Sequence, residues 1–189
     1  MEYEEFMMIY MVEMNLIDLS RRLEWDQRYF DHIKMLLSFP GFHATQRFEC
    51  INDASAPFVA LHHVDGPGFF KSHAYRNNAG PAGTGEWRNQ MSNWNRNLFD
   101  GLETTPDIKK DQMLVLIEDG GELNSGLDFN WLRCVGLDMN VKCRGLAVTN
   151  PFQSIEGLID IPGVRALNPL FNRLTKNDIF ERRGCEVKK

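Results

Sequence analysis

The chain has no run of 18 apolar residues, so no helix is expected to span a membrane. Positive charge is in short supply: 21 Lys and Arg stand against 26 Asp and Glu, a net charge of -5. Nucleic-acid binding draws on a basic surface that releases counter-ions, which argues against that class. Cysteine is sparse; Cys50, Cys134, Cys143 and Cys185 lie far apart and form no CxxC pair. The first residues, Met1-Glu2-Tyr3-Glu4-Glu5, are acidic where a secretory leader is basic. The expectation is a cytoplasmic protein with reduced thiols. There is no GxGxxG fingerprint. Gly80-Pro81-Ala82-Gly83-Thr84-Gly85 joins no strand to a helix and no Lys follows it, which argues against dinucleotide or nucleotide binding. Without a Gly-x-Ser-x-Gly elbow, a serine hydrolase is not indicated. The five histidines show no HxH, HxxxH or HxxE spacing that would preset a chelate, so no metal and no cofactor are expected.

What the chain does have is an ordinary core-forming composition, 43% apolar and 25% charged. Phe6 to Val12 is a continuous apolar run that reads as a buried strand. A helix follows to about Ser38, with Leu19, Leu23, Phe30, Ile33 and Leu37 as its expected core stripe. Beside that stripe, Trp25, Tyr29, His32 and Leu36 share a face. Pro40-Gly41 ends the helix. Phe42 to Glu49 alternates, with Phe42, Ala44 and Phe48 on one side and His43, Thr45, Arg47 and Glu49 on the other. Pro57 to Asp65 is a third strand, a short helix covers Phe69 to Arg76, and Gln112 to Glu118 is a fourth strand. Trp87, Met91, Trp94 and Leu98 fall at helical spacing and predict a second helix over Glu86 to Phe99.

This order predicts an α+β, ferredoxin-like split βαβ fold, an antiparallel sheet with two helices on one face. The other face needs cover, from a second subunit in a homodimer or from extra C-terminal strands. Residues 1–120 are read as the ferredoxin-like domain and 121–189 as a C-terminal extension. Leu36 to Ala44 aligns with Leu158 to Ala166 through a shared Pro-Gly, so the extension reads as a degenerate second half.

The run Trp25-Asp26-Gln27-Arg28-Tyr29-Phe30-Asp31-His32, then Leu37 and Phe39-Pro40-Gly41-Phe42, resembles EthD-like proteins of the dimeric α+β barrel superfamily. Pro57 to Leu61 and Ser72-His73-Ala74-Tyr75-Arg76 share in the resemblance, which covers residues 6 to about 118. It implies the barrel fold. It also implies a function among cofactor-free monooxygenases, polyketide cyclases, muconolactone-type isomerases, haem-degrading enzymes and proteins without known activity. His62-His63 departs from the aromatic-acid pattern of that group, so the chemistry belongs to this chain's own residues.

Histidine titrates near neutrality and can move a proton at working pH. His32, His62 and His63 are the candidate catalytic residues. His62 and His63 point to opposite faces of one strand, and phase alone does not say which meets a cavity. Trp25, Tyr29, His43, Arg47, His73, Tyr75 and Arg76 are candidate substrate-binding residues, the arginines as partners for an anionic or phenolic group. The expected function is a lyase, isomerase or cyclase acting by cofactor-independent proton transfer on a hydrophobic, aromatic small molecule, as in the breakdown of aromatic compounds. The alternatives are a cofactor-free or haem-linked monooxygenase and a non-catalytic binding protein. The pocket is expected to join His32 to one of His62 and His63, with Arg47 or Arg76 at its polar end.

Overall fold

The computed structural model describes residues 7–118, 126–150 and 155–179. Phe6 of the expected first strand and Cys185 lie outside them. Strand β1 is Met8–Leu16. A single 3-10 turn follows, opened by the Asp18 carboxylate, which accepts from the Ser20 N–H. Helix α1 spans Arg22–Leu37, β2 Phe42–Cys50 and β3 Phe58–Val64. Helix α2 is a short His73–Asn78, capped by the Ser72 hydroxyl, and β4 is Met91–Asp100. The rest of the chain supplies β5 (Leu114–Glu118), β6 (Asn130–Leu137), β7 (Cys143–Val148), β8 (Val164–Pro169) and a two-residue β9, Leu174–Thr175.

All strand pairs are antiparallel. The sheet order is β3-β1-β4-β6-β7-β5-β8-β2-β9, and β2 pairs back onto β3. Eight strands therefore close a barrel, with β9 as an outside edge on β2. The first four strands run β2-β3-β1-β4, and the next four run β6-β7-β5-β8. These are the same order, second-third-first-fourth, in each half. The seams are β4–β6 and β2–β8. The second sheet that a ferredoxin-like half needs thus comes from β5 to β8 of the same chain, which meets the physical ground for expecting a second subunit.

Burial shows how alternation works here. Along β3 every residue is buried. Phe58, Ala60 and Val64 pack outward under α1 with Tyr10, Val12 and Met14 of β1. Val59 and Leu61 point into the barrel with Ile9, Met11, Phe48 and Phe99.

The structure corrects three expectations. The buried stripe of α1 is Trp25, Tyr29, Ile33, Leu36 and Leu37, while Leu19 and Leu23 are 64% and 87% exposed. Residues Glu86 to Phe99 are not a helix but a 3-10 turn leading into β4. The cause is a bulge. Asn93 takes a positive φ of 49°, and the β1–β4 register slips between Glu13 and Asn15. Met91 thus opposes Leu16 and Leu98 opposes Tyr10, all outward-facing, so an extra residue converts a two-residue period into helix-like spacing. A second bulge in β2, between Phe42 and Ala44, puts Phe42 under the helices and Phe48 inside the barrel, on opposite sides rather than the same one.

One end of the barrel interior is ionic. Glu13 of β1 accepts from Arg144 of β7 at 2.6 Å and pairs with Arg165 of β8 at 2.6 Å. Arg144 also donates to Glu118 of β5 at 2.7 Å. The cluster ties the first half of the chain to the second. Two opposing guanidinium groups outweigh the cost of burying Glu13 and hold its carboxyl below the usual value. Removing that carboxylate leaves two buried positive charges without it. Glu13→Gln is therefore expected to lower unfolding stability by about 3–5 kcal/mol, read as a reduced urea midpoint with an unchanged slope. A midpoint equal to that of the wild type would show that the cluster does not hold the halves together.

Candidate active site

Helix α1 crosses the outer face of β1 and β3. Its buried stripe is anchored by Trp25 and Ile33, which places Tyr29 and the neighbouring pair Arg28 and His32, four residues apart, over the sheet. Beneath them Tyr10 comes from β1 and His62 from β3. Tyr75 of α2 and Trp94 of β4 close two sides. A strap of two 3-10 turns, Gly80–Gly83 and Gly85–Gln90, lies over the top. Gly80 is required here, because its φ is 55° and a Cβ would sit 2.9 Å from the Tyr75 hydroxyl. Together these residues line a partly open cavity of about 30 Å³, room for a water molecule or two. Among the described residues no Asp or Glu lines it.

His62 is fully buried, and its Nδ1 lies 2.7 Å from the Thr45 hydroxyl, which leaves Nε2 as the nitrogen available to the cavity. Its ring packs against Tyr10 and Phe42, with centroids 5.2 and 5.1 Å away. Burial, then the charges of His32 and Arg47, push His62 down to about 3. Burial, then the charge of Arg28, push His32 down to about 4. Both imidazoles are therefore neutral at pH 7. The Tyr10 and Tyr75 hydroxyls are 3.0 Å apart, and burial raises the pKa of each. These phenols stay protonated and can donate. Arg28 donates to the backbone carbonyls of Gly83 and Thr84, which ties α1 to the strap.

Of the residues singled out in the sequence, His32, His62, Tyr29 and Tyr75 meet at this cavity. The others do not. His63 faces the barrel interior, where it stacks on His43 at 5.1 Å and its Nε2 has no hydrogen-bond partner. His43 instead bonds Asp65 at 2.5 Å, turned aside by the β2 bulge. Trp25 is fully buried beneath Arg47. Arg47 is itself buried between the rings of Trp25 and Tyr29, with Asp26 as its ion partner. It is a packing arginine rather than the polar end of the pocket. His73 bonds Asn77 on the surface, and Arg76 is exposed. The residues that sequence reasoning missed are Tyr10, Arg28 and Trp94. Arg28 was legible as the residue one turn before His32; Tyr10 was hidden inside an apolar run, and Trp94 inside the helical misreading of β4. Among the described residues no three His, Cys, Asp or Glu side chains gather to hold a metal ion. Cys50 and Cys134 carry free thiols away from the cavity.

No protein-family profile and no curated protein matches the sequence. Solved structures do match the fold. An anthrone oxidase-like protein superposes with a TM-score of 0.59 at 8% identity, over 92% of this chain and 94% of the other. A candidate monooxygenase from Fusobacterium nucleatum subsp. nucleatum gives 0.53 at 8% identity, over 90% and 95%. A candidate chlorite dismutase gives 0.51 at 8% identity, over 93% and 98%. The likeness runs over nearly the whole length of each chain, including the second half. The fold is that of the dimeric α+β barrel proteins, closed here within a single chain.

Proposed function

We propose that the chain is an enzyme that moves a proton on a small hydrophobic molecule bound between α1 and the sheet. The observation that carries this reading is the meeting of two neutral imidazoles, from different elements, with a buried tyrosine pair in one cavity that has no carboxylate. His62 Nε2 is the base. Thr45 on its Nδ1 holds the ring in place. His32 and the Tyr10–Tyr75 pair stand on other sides of the cavity and return or stabilise the proton. Isomerisation, cyclisation and elimination all need this donor-acceptor pairing and no redox partner. The apolar walls, Val12, Met14, Leu36 and Met91, suit a hydrophobic body. A cavity of about 30 Å³ admits such a body only when the strap lifts, and the strap's glycines suit it to that movement. The finer EthD-like assignment rests on the sequence motif around Trp25 to Phe42.

A second reading is favoured by the fold's likeness to an anthrone oxidase-like protein and to candidate monooxygenases. In it the same abstraction by His62 yields a carbanion that gives its electron pair to dioxygen, the oxidant; a C–O bond forms, the peroxide takes back the proton, and loss of water leaves a carbonyl. Both readings share the first step, so one experiment tests both. Incubation with 2-tetralone in D₂O, followed by NMR, is expected to show enzyme-accelerated exchange of its acidic C–H. His62→Ala should slow that exchange by about 10²–10⁴, with the melting temperature showing a folded protein. His63→Ala, on the barrel side, should leave it near the wild-type rate. Equal loss from both variants would remove His62 as the base.

The pH dependence has a defined sign. Both imidazoles titrate lower in the folded chain than the ordinary value near 6.5. The unfolded chain therefore takes up protons that the folded chain refuses. Stability from this source is complete above about pH 6.5 and falls as pH drops toward the folded values. Melting temperature is expected to fall between pH 7 and pH 5, and to fall less in His62→Gln. The acid limb of the exchange rate should lie below about 6.5. A limb at or above that value would contradict a base kept neutral by burial.

A further inference from the structure

Arg28 has no place in the proton transfer just described, yet it sits at the cavity with its guanidinium unbalanced. Among the described residues no carboxylate pairs with it, whereas Arg22, Arg47, Arg96, Arg144 and Arg165 each have one. Its partners are two neutral carbonyls, those of Gly83 and Thr84. The guanidinium remains charged under any ordinary condition. It therefore bears the desolvation of a half-buried site without a counter-ion, and burial weakens its hold on the proton. The cavity adds no negative charge, since no Asp or Glu lines it, and at neutral pH its histidines and tyrosines are uncharged. A second guanidinium, Arg88, lies over the cavity wall at Trp94, 4.6 Å from the ring centroid, with no carboxylate paired to it among the described residues; Arg96, on the same ring, is balanced by Asp138. This local excess of positive charge lies in a chain whose net charge is -5, so it is a property of the site and not of the whole surface.

We infer that the ligand of this cavity is a hydrophobic anion, an apolar body with one ionised oxygen, and that Arg28 holds that oxygen in place of the strap carbonyls. The inference rests on the proposed reading of the cavity as a small-molecule site. A charge-assisted bond from guanidinium to an ionised oxygen is roughly twice as strong as one to a neutral carbonyl. The incoming anion therefore competes for the same N–H groups that tie α1 to Gly83 and Thr84. Binding and release of the strap are one exchange of hydrogen-bond partners. The exchange also acts on the bases. Arg28 is the charge that helps hold His32 down, and an anion beside it offsets that charge, so His32 binds a proton more readily once the ligand is present. Arg28 is thus a specificity-determining residue whose position also tunes the acid-base pair.

The test uses the full chain, isothermal titration calorimetry and two probes of one shape, 1-naphthoate and 1-naphthamide. Wild-type protein is expected to bind the anion about tenfold or more tightly than the amide, the effect of one charge-assisted contact. Arg28→Gln should erase that preference, the two probes then binding equally. Arg28→Lys, which keeps the charge but not the two-pronged geometry, should retain part of it. The preference in the wild type is itself a measurement that no folding defect in a variant can obscure. Equal binding of both probes by wild-type protein, or an anion preference that survives in folded Arg28→Gln, overturns the role of Arg28 and leaves the hydrophobic cavity standing. Binding of neither probe overturns the anion site together with the small-molecule reading beneath it.

Discussion

Strands β1 and β3 are covered on both faces, and the site depends on that constraint. In an antiparallel sheet open on one side, alternate residues meet water, and two adjacent histidines would be one buried and one solvated. Here every residue of β3 is buried. The outer face lies under α1, and the inner face looks into a barrel closed by the second half of the chain. His62 and His63 therefore enter two different interiors. His62 is desolvated beneath the helix and turned toward a cavity, while His63 is held inside the barrel beside His43. Two adjacent residues of one type acquire separate surroundings from strand alternation together with the different cover on each face.

Closure is what makes the inner face an interior. A four-stranded half with two helices leaves two sheet edges and one apolar face unsatisfied. The chain repeats the strand order in β5 to β8, pairs the edges at β4–β6 and β2–β8, and fills the space between with Leu114, Leu116, Leu132, Leu146 and Leu167. Its ionic end, built on Glu13, takes one group from the first half and three from the second. The inner face of β1 and β3 under the candidate site is buried by strands that contribute no residue to it.

The electrostatics of the outer cavity follow from burial without carboxylates. His43, on the other side of the sheet, has the Asp65 carboxylate beside it. His32 and His62 have no such partner and are pushed toward neutrality by desolvation and by Arg28 and Arg47. Among the described residues the same absence of acid leaves Arg28 without a counter-ion. Neutral bases and an unbalanced cation are thus two consequences of one composition, and a ligand carrying negative charge suits both.

Some of this was legible in the amino-acid order. Local chemistry determined the elements whose signals are local: the first strand, α1 ended by Pro40-Gly41, and the alternating strands on either side of the Asn52–Ser55 turn; the helix and strand expected to complete the first half, Glu86 to Phe99 and Gln112 to Glu118, are instead β4 and the first strand of the second half. The face shared by Tyr29 and His32 was readable from a four-three spacing, and so was the opposition of His62 and His63. Tertiary structure decided the rest. Of the stripe expected through Leu19, Leu23, Phe30, Ile33 and Leu37, the structure buries Ile33 and Leu37 and leaves Leu19 and Leu23 exposed, because packing onto the sheet turns Trp25 and Tyr29 inward at the start of the helix. The bulges at Asn93 and His43 each shifted phase by one residue, which turned an apparent helix into β4 and took His43 off the face of Thr45 and Arg47; Arg47 stays on the α1 side, held by the rings of Trp25 and Tyr29 and by Asp26. Which of His62 and His63 met the cavity depended on where α1 came to rest. Spacing within a segment reports which residues share a face; what covers that face is set by contacts between segments far apart in the chain.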